Sequence, residues 1–171
     1  RWANSFFKTS KQGKKFLPAM VENKPADAGE QHQLARWYLE RGEAQQALEH
    51  LQIVAELRDS KLVWADIGSA YFKLGDKQRA TEQWAKLIAG EKPSIDDCQL
   101  YLATLSKHGL QSEARAKLQP LAVKRLSASN RESGKEFETL KPLIRSLVKS
   151  FETPKAEAAN EAEKAIYLKQ I

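Results

Sequence analysis

The 171-residue chain holds a single cysteine, Cys98, and a single methionine, Met20. One thiol excludes an intramolecular disulfide framework, so the sequence requires no oxidising compartment and rules none out. Histidine is scarce too: His32, His50 and His108 stand far apart. No pair has the i, i+4 spacing that puts two imidazoles on one helical face, and His32 with Cys98 lacks the further ligands a zinc site needs. The eight glycines are isolated, which leaves no glycine-rich loop to cradle a phosphate. No apolar run approaches the ~20 residues that cross a bilayer. These absences argue against a chain that is catalytic on its own, and no cofactor or metal is expected.

What the chain does have is helix formers, broken at regular places. The stretch from Lys61 to Ser94 reads as two short helices back to back. Trp64, Ile67, Gly68, Tyr71 and Leu74 share one face of the first, and Ala80, Trp84 and Leu87 one face of the second. Gly75 between them suits a left-handed helix end, and Asp76 can cap the helix that follows. Neither helix buries its apolar stripe alone, which invites a search for copies.

Moving back 33 residues places Leu34, Ala35, Tyr38, Gly42, Ala47 and Leu51 where Ile67, Gly68, Tyr71, Gly75, Ala80 and Trp84 stood. Moving forward 34 places Tyr101, Leu102, Leu105, Gly109, Ala114 and Leu118 in the same slots. On these residues and this period, positions 28–130 resemble the tetratricopeptide repeat family. In the middle copy Trp64, Gly68, Tyr71, Gly75 and Ala80 sit at signature positions, with Trp84 replacing the usual Phe. The first copy has Gln31 in the leading Trp slot and the third has Cys98. The resemblance implies an all-α fold of tandem helix-turn-helix repeats wound into a right-handed superhelix with flanking helices: repeats at 28–60, 61–94 and 95–130, with Tyr38, Tyr71 and Leu105 turned inward. Cys98, in a slot that packs between helices, is expected to be a core thiol rather than a nucleophile, since nothing in the sequence marks a lowered pKa. His50 on a trailing helix and His108 at a helix end are expected to be exposed or capping.

In chain order, residues 1–27 carry six basic and two acidic side chains among Trp2, Phe6, Phe7, Phe16, Leu17 and Met20. This reads as a lead-in whose aromatics dock on the first repeat, or as a basic arm for nucleic acid or an anionic surface. Asp27 with Glu30, and Ser94 with Asp97, have the form of helix starts. The first repeat holds three basic and six acidic residues, whereas the second and third are each net positive. Pro120 is expected to bend a helix running from about residue 112. Phe137, Leu140, Leu143, Ile144, Leu147, Val148 and Phe151 then form an amphipathic stripe that either caps the stack or docks a partner, and Thr153-Pro154 starts a last helix. The span 131–171 is expected to cap. A chain that begins at Arg1 is expected to be part of a longer or processed product.

The family's concave groove positions, carried across residue by residue, are His32, Arg36 and Glu40; Ala65, Asp66, Ser69, Phe72 and Lys73; and Gln99, Ala103, Ser106 and Lys107. The slots that hold a chaperone's C-terminal carboxylate in one subclass carry His32, Arg36, Ala65 and Ser69 here, which disfavours that clamp. The expected function is a non-catalytic protein-interaction or scaffold module that lays a peptide segment along the groove, with Phe72 as an exposed apolar anchor and Arg36, Lys73 and Gln99 as polar holds. Two rivals are a nucleic-acid or anionic-surface binder and a structural spacer attached to a catalytic domain elsewhere. Neither the oligomeric state nor the compartment follows from the sequence.

Overall fold

A computed structural model describes residues 27–128, 135–150 and 168–169, and among them the protein is all-helical with no strand. Seven α-helices follow in order: α1 Ala28–Arg41, α2 Ala44–Leu57, α3 Lys61–Lys73, α4 Lys77–Ala85, α5 Ile95–Lys107, α6 Gln111–Ala128 and α7 Lys135–Lys149, with a 3-10 turn at Lys86–Ile88. The expectations for the N-terminal lead-in and for the helix starting at Thr153-Pro154 lie outside the described residues. The chain divides into two compact units, with the boundary between Lys86 and Leu87.

Three helix pairs turn by the same device. Gly42, Gly75 and Gly109 have φ of 83°, 85° and 75°, a left-handed conformation that glycine adopts without strain. The next amide then folds back: Glu43 N–H donates to Tyr38 O, Asp76 N–H to Tyr71 O and Leu110 N–H to Leu105 O, each at 3.0 Å. This is the Schellman pattern, which satisfies carbonyls that a helix end otherwise leaves unpaired. Helix starts are equally explicit. Asp27 accepts from the amides of Gly29 and Glu30, Asp76 accepts from the amide of Arg79, and Ser94 and Asp97 form a reciprocal capping box.

In the first unit α1 packs on α2 and on α3, α2 on α3, and α3 on α4. Leu34, Ala35, Tyr38, Ala47, Leu51 and Val54 meet Val63, Ile67 and Ala70 in one core, with Tyr71 packed against it. The α3 face differs from the stripe read in sequence: Leu74 is 45% exposed, Trp64 is half-buried, and Val63 and Ala70 are fully buried. The reason is that α3 is covered from two sides. Val63, Ile67 and Ala70 recur at i, i+4, i+7 toward the core, while Ala65 and Gly68 lie under Trp84. Leu74 follows the last turn and escapes both.

Trp84 seals this unit. Its side chain is fully buried and its indole N–H donates to Ala65 O at 3.1 Å. A methyl group built on Gly68 would come within 2.3 Å of Trp84 Nε1. Gly68 therefore serves close approach, whereas nothing stands within 4 Å of such a methyl at Gly42, Gly75 or Gly109, which serve backbone conformation.

In the second unit α5, α6 and α7 pack on one another pairwise. Cys98, Tyr101, Leu102 and Leu105 of α5 are buried, as are Ala114, Leu118 and Ala122 of α6 and Leu140, Leu143, Ile144 and Leu147 of α7. Leu140, Leu143, Ile144 and Leu147 of the α7 stripe are thus spent inside their own unit, Val148 is half-buried, and the side chains of Phe137 and Phe151 lie outside the described residues. Arg115, 2% exposed, extends from α6 to donate through Nη1 to Ser150 O at 2.9 Å, just past the end of α7. A cation there meets the negative end of the helix dipole. Arg125 likewise donates to Pro93 O at 3.2 Å and ties down the segment before α5. Helix α6 continues through Pro120 as one element of 18 residues. Pro120 and Ala116, whose carbonyl loses its helical donor, are both exposed, so water can replace the missing bond. Pro142 and Glu138 in α7 have the same relation.

Candidate functional site

Leading helices α1 and α3 lie side by side and carry eight of the twelve groove positions, of which Arg36, Glu40 and Lys73 are exposed. His32, Arg36 and Glu40 recur at i, i+4, i+8 on α1 and so share a face; Asp66, Ser69 and Lys73, at i, i+3, i+7, share one on α3. The structure brings three of these together across the two helices. His32 Nε2–H donates to Asp66 Oδ2 at 2.8 Å, and Arg36 Nε stands 3.7 Å from the same oxygen. The side chain of His32 is only 10% exposed, that of Asp66 25% and that of Arg36 55%. His32 is thus a strut between neighbouring hairpins, and Arg36 is the member of the trio that solvent reaches.

The remaining positions divide. Glu40, Lys73 and Lys107 are exposed and Gln99 is half-buried. The Ser69 hydroxyl donates to its own helix at Ala65 O, 2.9 Å away. Phe72 is half-buried rather than exposed, because its ring lies 5.7 Å from Trp84 at a 38° tilt. Ala65 is buried and accepts the Trp84 bond, so it lines no open surface. Gln99, Ala103, Ser106 and Lys107 belong to α5 in the second unit, with Ala103 exposed and Ser106 half-buried.

Some contacts were not read from the sequence. His50 is half-buried, donates through Nδ1 to Gln31 Oε1 at 2.6 Å and stacks on Tyr38 with rings 5.4 Å apart and nearly parallel. Gln31 occupies the slot that holds Trp64 one hairpin later, so a polar tie there links α1 to α2. Burial holds the His50 imidazole below its ordinary 6.5, against a weaker opposing pull from Glu49. Burial raises the Tyr38 phenol, helped by Glu43 and Glu49. The guanidiniums of Arg41 and Arg79 lie over Trp37 and Tyr71 at 4.7 and 4.8 Å, one beside each of the first two turns. The available signal was an arginine one turn after Trp37 on the same helix and another just across the glycine turn from Tyr71. Cys98 is 1% exposed, and among the described residues no three His, Cys, Asp or Glu side chains gather as metal ligands. Among the same residues no helix is long and apolar enough to cross a membrane.

No family model, no curated protein and no solved structure matches the chain.

Proposed function

We propose that the chain is a tetratricopeptide-like array acting as a non-catalytic protein-interaction module, which binds an extended peptide segment along the exposed faces of its leading helices. The observation that carries this reading is the packing of α1 directly on α3, with His32, Asp66 and Arg36 bridging them. Exposed positions of the two helices then lie in adjoining rows, with Arg36 and Lys73 as exposed cations and Glu40 as an exposed anion. The same glycine turn in the α1–α2 and α3–α4 hairpins supports this reading, because similar hairpins stack by burying their faces on one another and leave one wall to solvent. Arg36 offers a planar fork of donors to a carboxylate, and Asp66 beside it limits the rotamers that must be frozen on binding.

The test is selection of random extended peptides on the full chain, followed by titration against Arg36→Glu and Lys73→Glu. Both side chains are exposed, so neither change disturbs a core. The reading predicts enriched peptides whose affinity falls about tenfold or more with Arg36→Glu, while melting falls only slightly from the new carboxylate beside Asp66. Peptides that bind both variants equally would remove it, as would tight binding to single-stranded nucleic acid that collapses with rising salt.

A further inference from the structure

We infer that the peptide taken by the α1–α3 face carries an apolar side chain three or four residues from a side-chain carboxylate, an inference that rests on the peptide-binding reading of that face. The apolar group seats on Leu62 and the carboxylate on Arg36. Leu62, Asp66, Ser69 and Lys73 recur at i, i+4, i+7, i+11, so Leu62 shares the α3 face of the other three. It is 56% exposed, whereas Phe72 is half-buried against Trp84. The open apolar side chain of this face therefore stands at the start of α3. The short connections after α1 and α2 reverse the chain twice, so α1 and α3 run parallel. With His32 bonded to Asp66, Leu62 lies beside the first turn of α1, one turn before that bond.

Charge is spread unevenly over the same face. Glu40 lies eight residues after His32 and Lys73 seven after Asp66, so this exposed anion and cation stand level at the far end and offset each other. Arg36 is left as the donor. Its Nε faces Asp66 Oδ2 at 3.7 Å, an oxygen that already accepts from His32, and among the described residues no hydrogen bond or ion pair engages either Nη group. A guanidinium steadied along its Nε side leaves the Nη1–Nη2 edge for the two oxygens of a carboxylate. Leu62 and Asp66 stand ~6 Å apart along α3 and packed helix axes about 8–10 Å apart, which separates the apolar seat from the fork by roughly 11 Å. An extended chain covers that in three or four residues at about 3.3 Å each.

The experiment selects random ten-residue peptides, blocked at both ends, on the full chain and on its Leu62→Ser, Arg36→Glu and Leu74→Ser variants. Leu74 is the control, 45% exposed but about 120° round the helix from Leu62. Peptides from the parent and from Leu74→Ser should pair Leu, Ile, Val or Phe with Asp or Glu three or four places away. On Leu62→Ser the apolar preference should vanish and the acidic one stay, and on Arg36→Glu the reverse. A peptide selected on the parent should bind Leu62→Ser about fivefold more weakly, the loss expected from uncovering part of an apolar contact. An apolar preference unchanged on Leu62→Ser, an acidic one unchanged on Arg36→Glu, or a pairing at no fixed spacing would overturn the inference while leaving peptide binding in place. A parent that selects no peptide would remove the peptide-binding reading as well.

Discussion

The two units close their cores by different means. The first ends on an aromatic wedge, Trp84 lying directly on Gly68 with its one polar atom bonded to Ala65 O. The second ends on an aliphatic ridge, Leu140, Leu143 and Leu147, with Arg115 donating to the chain just past the ridge helix. A wedge on a glycine leaves no slack, because a single added carbon meets a rigid ring. A ridge of leucines can shift by rotamer changes. The repeat slots tell the same story: Gly68 faces Trp84 in the second hairpin, and the equivalent positions are Ala35 and Leu51 in the first and Leu102 and Leu118 in the third, all buried. Where the trailing residue is largest, the leading one is smallest.

This contrast can be broken deliberately. Trp84→Ala removes the largest fully buried side chain among the described residues and should cost about 3–5 kcal/mol, read by denaturant unfolding as a loss in the first unit while α5 to α7 stay folded. Gly68→Ala should cost about 1–3 kcal/mol by overpacking. Combining it with Trp84→Leu, which recreates the Ala35 and Leu51 arrangement, should cost less than the sum of the two single changes; a strictly additive cycle would contradict the wedge. In the second unit Arg115→Met keeps the aliphatic stem but loses the bond to Ser150 O. A loss of about 1–3 kcal/mol is expected, with faster hydrogen exchange confined to the end of α7.

The smallest effect concerns pH. His50 is held below 6.5 in the folded chain, so the unfolded state binds its proton first. Its contribution is therefore complete above 6.5 and is lost as pH falls through 6.5 toward the lowered folded value. The denaturation midpoint of the first unit should fall more between neutral and mildly acid pH in the parent than in His50→Gln.

Much of the fold was legible because glycine and alanine mark positions where backbone or space permits little else. Gly42, Gly75 and Gly109 turned out left-handed, and Ala47, Ala80 and Ala114 turned out fully buried. Asp27, Asp76 and Ser94 could be read as caps since capping is local. What escaped depended on the angle between helices. The pairing of His32 with Asp66, 34 residues away, the tie between His50 and Gln31, and the half-burial of Phe72 against Trp84 are set by how neighbouring faces meet. Leu74 was misplaced for a similar reason: one stripe was read on α3, where two partners define two. Of the twelve groove positions, periodicity alone put His32, Arg36 and Glu40 on one face, yet only packing showed that His32 is a strut and Arg36 the accessible cation.

Amide chemical-shift mapping of the full chain during titration with a selected peptide tests the interaction reading most directly. Changes concentrated at residues 32–40 and 65–73, on the solvent faces of α1 and α3, are the predicted result. Changes concentrated on α2 and α4, at 45–57 and 77–85, would contradict it.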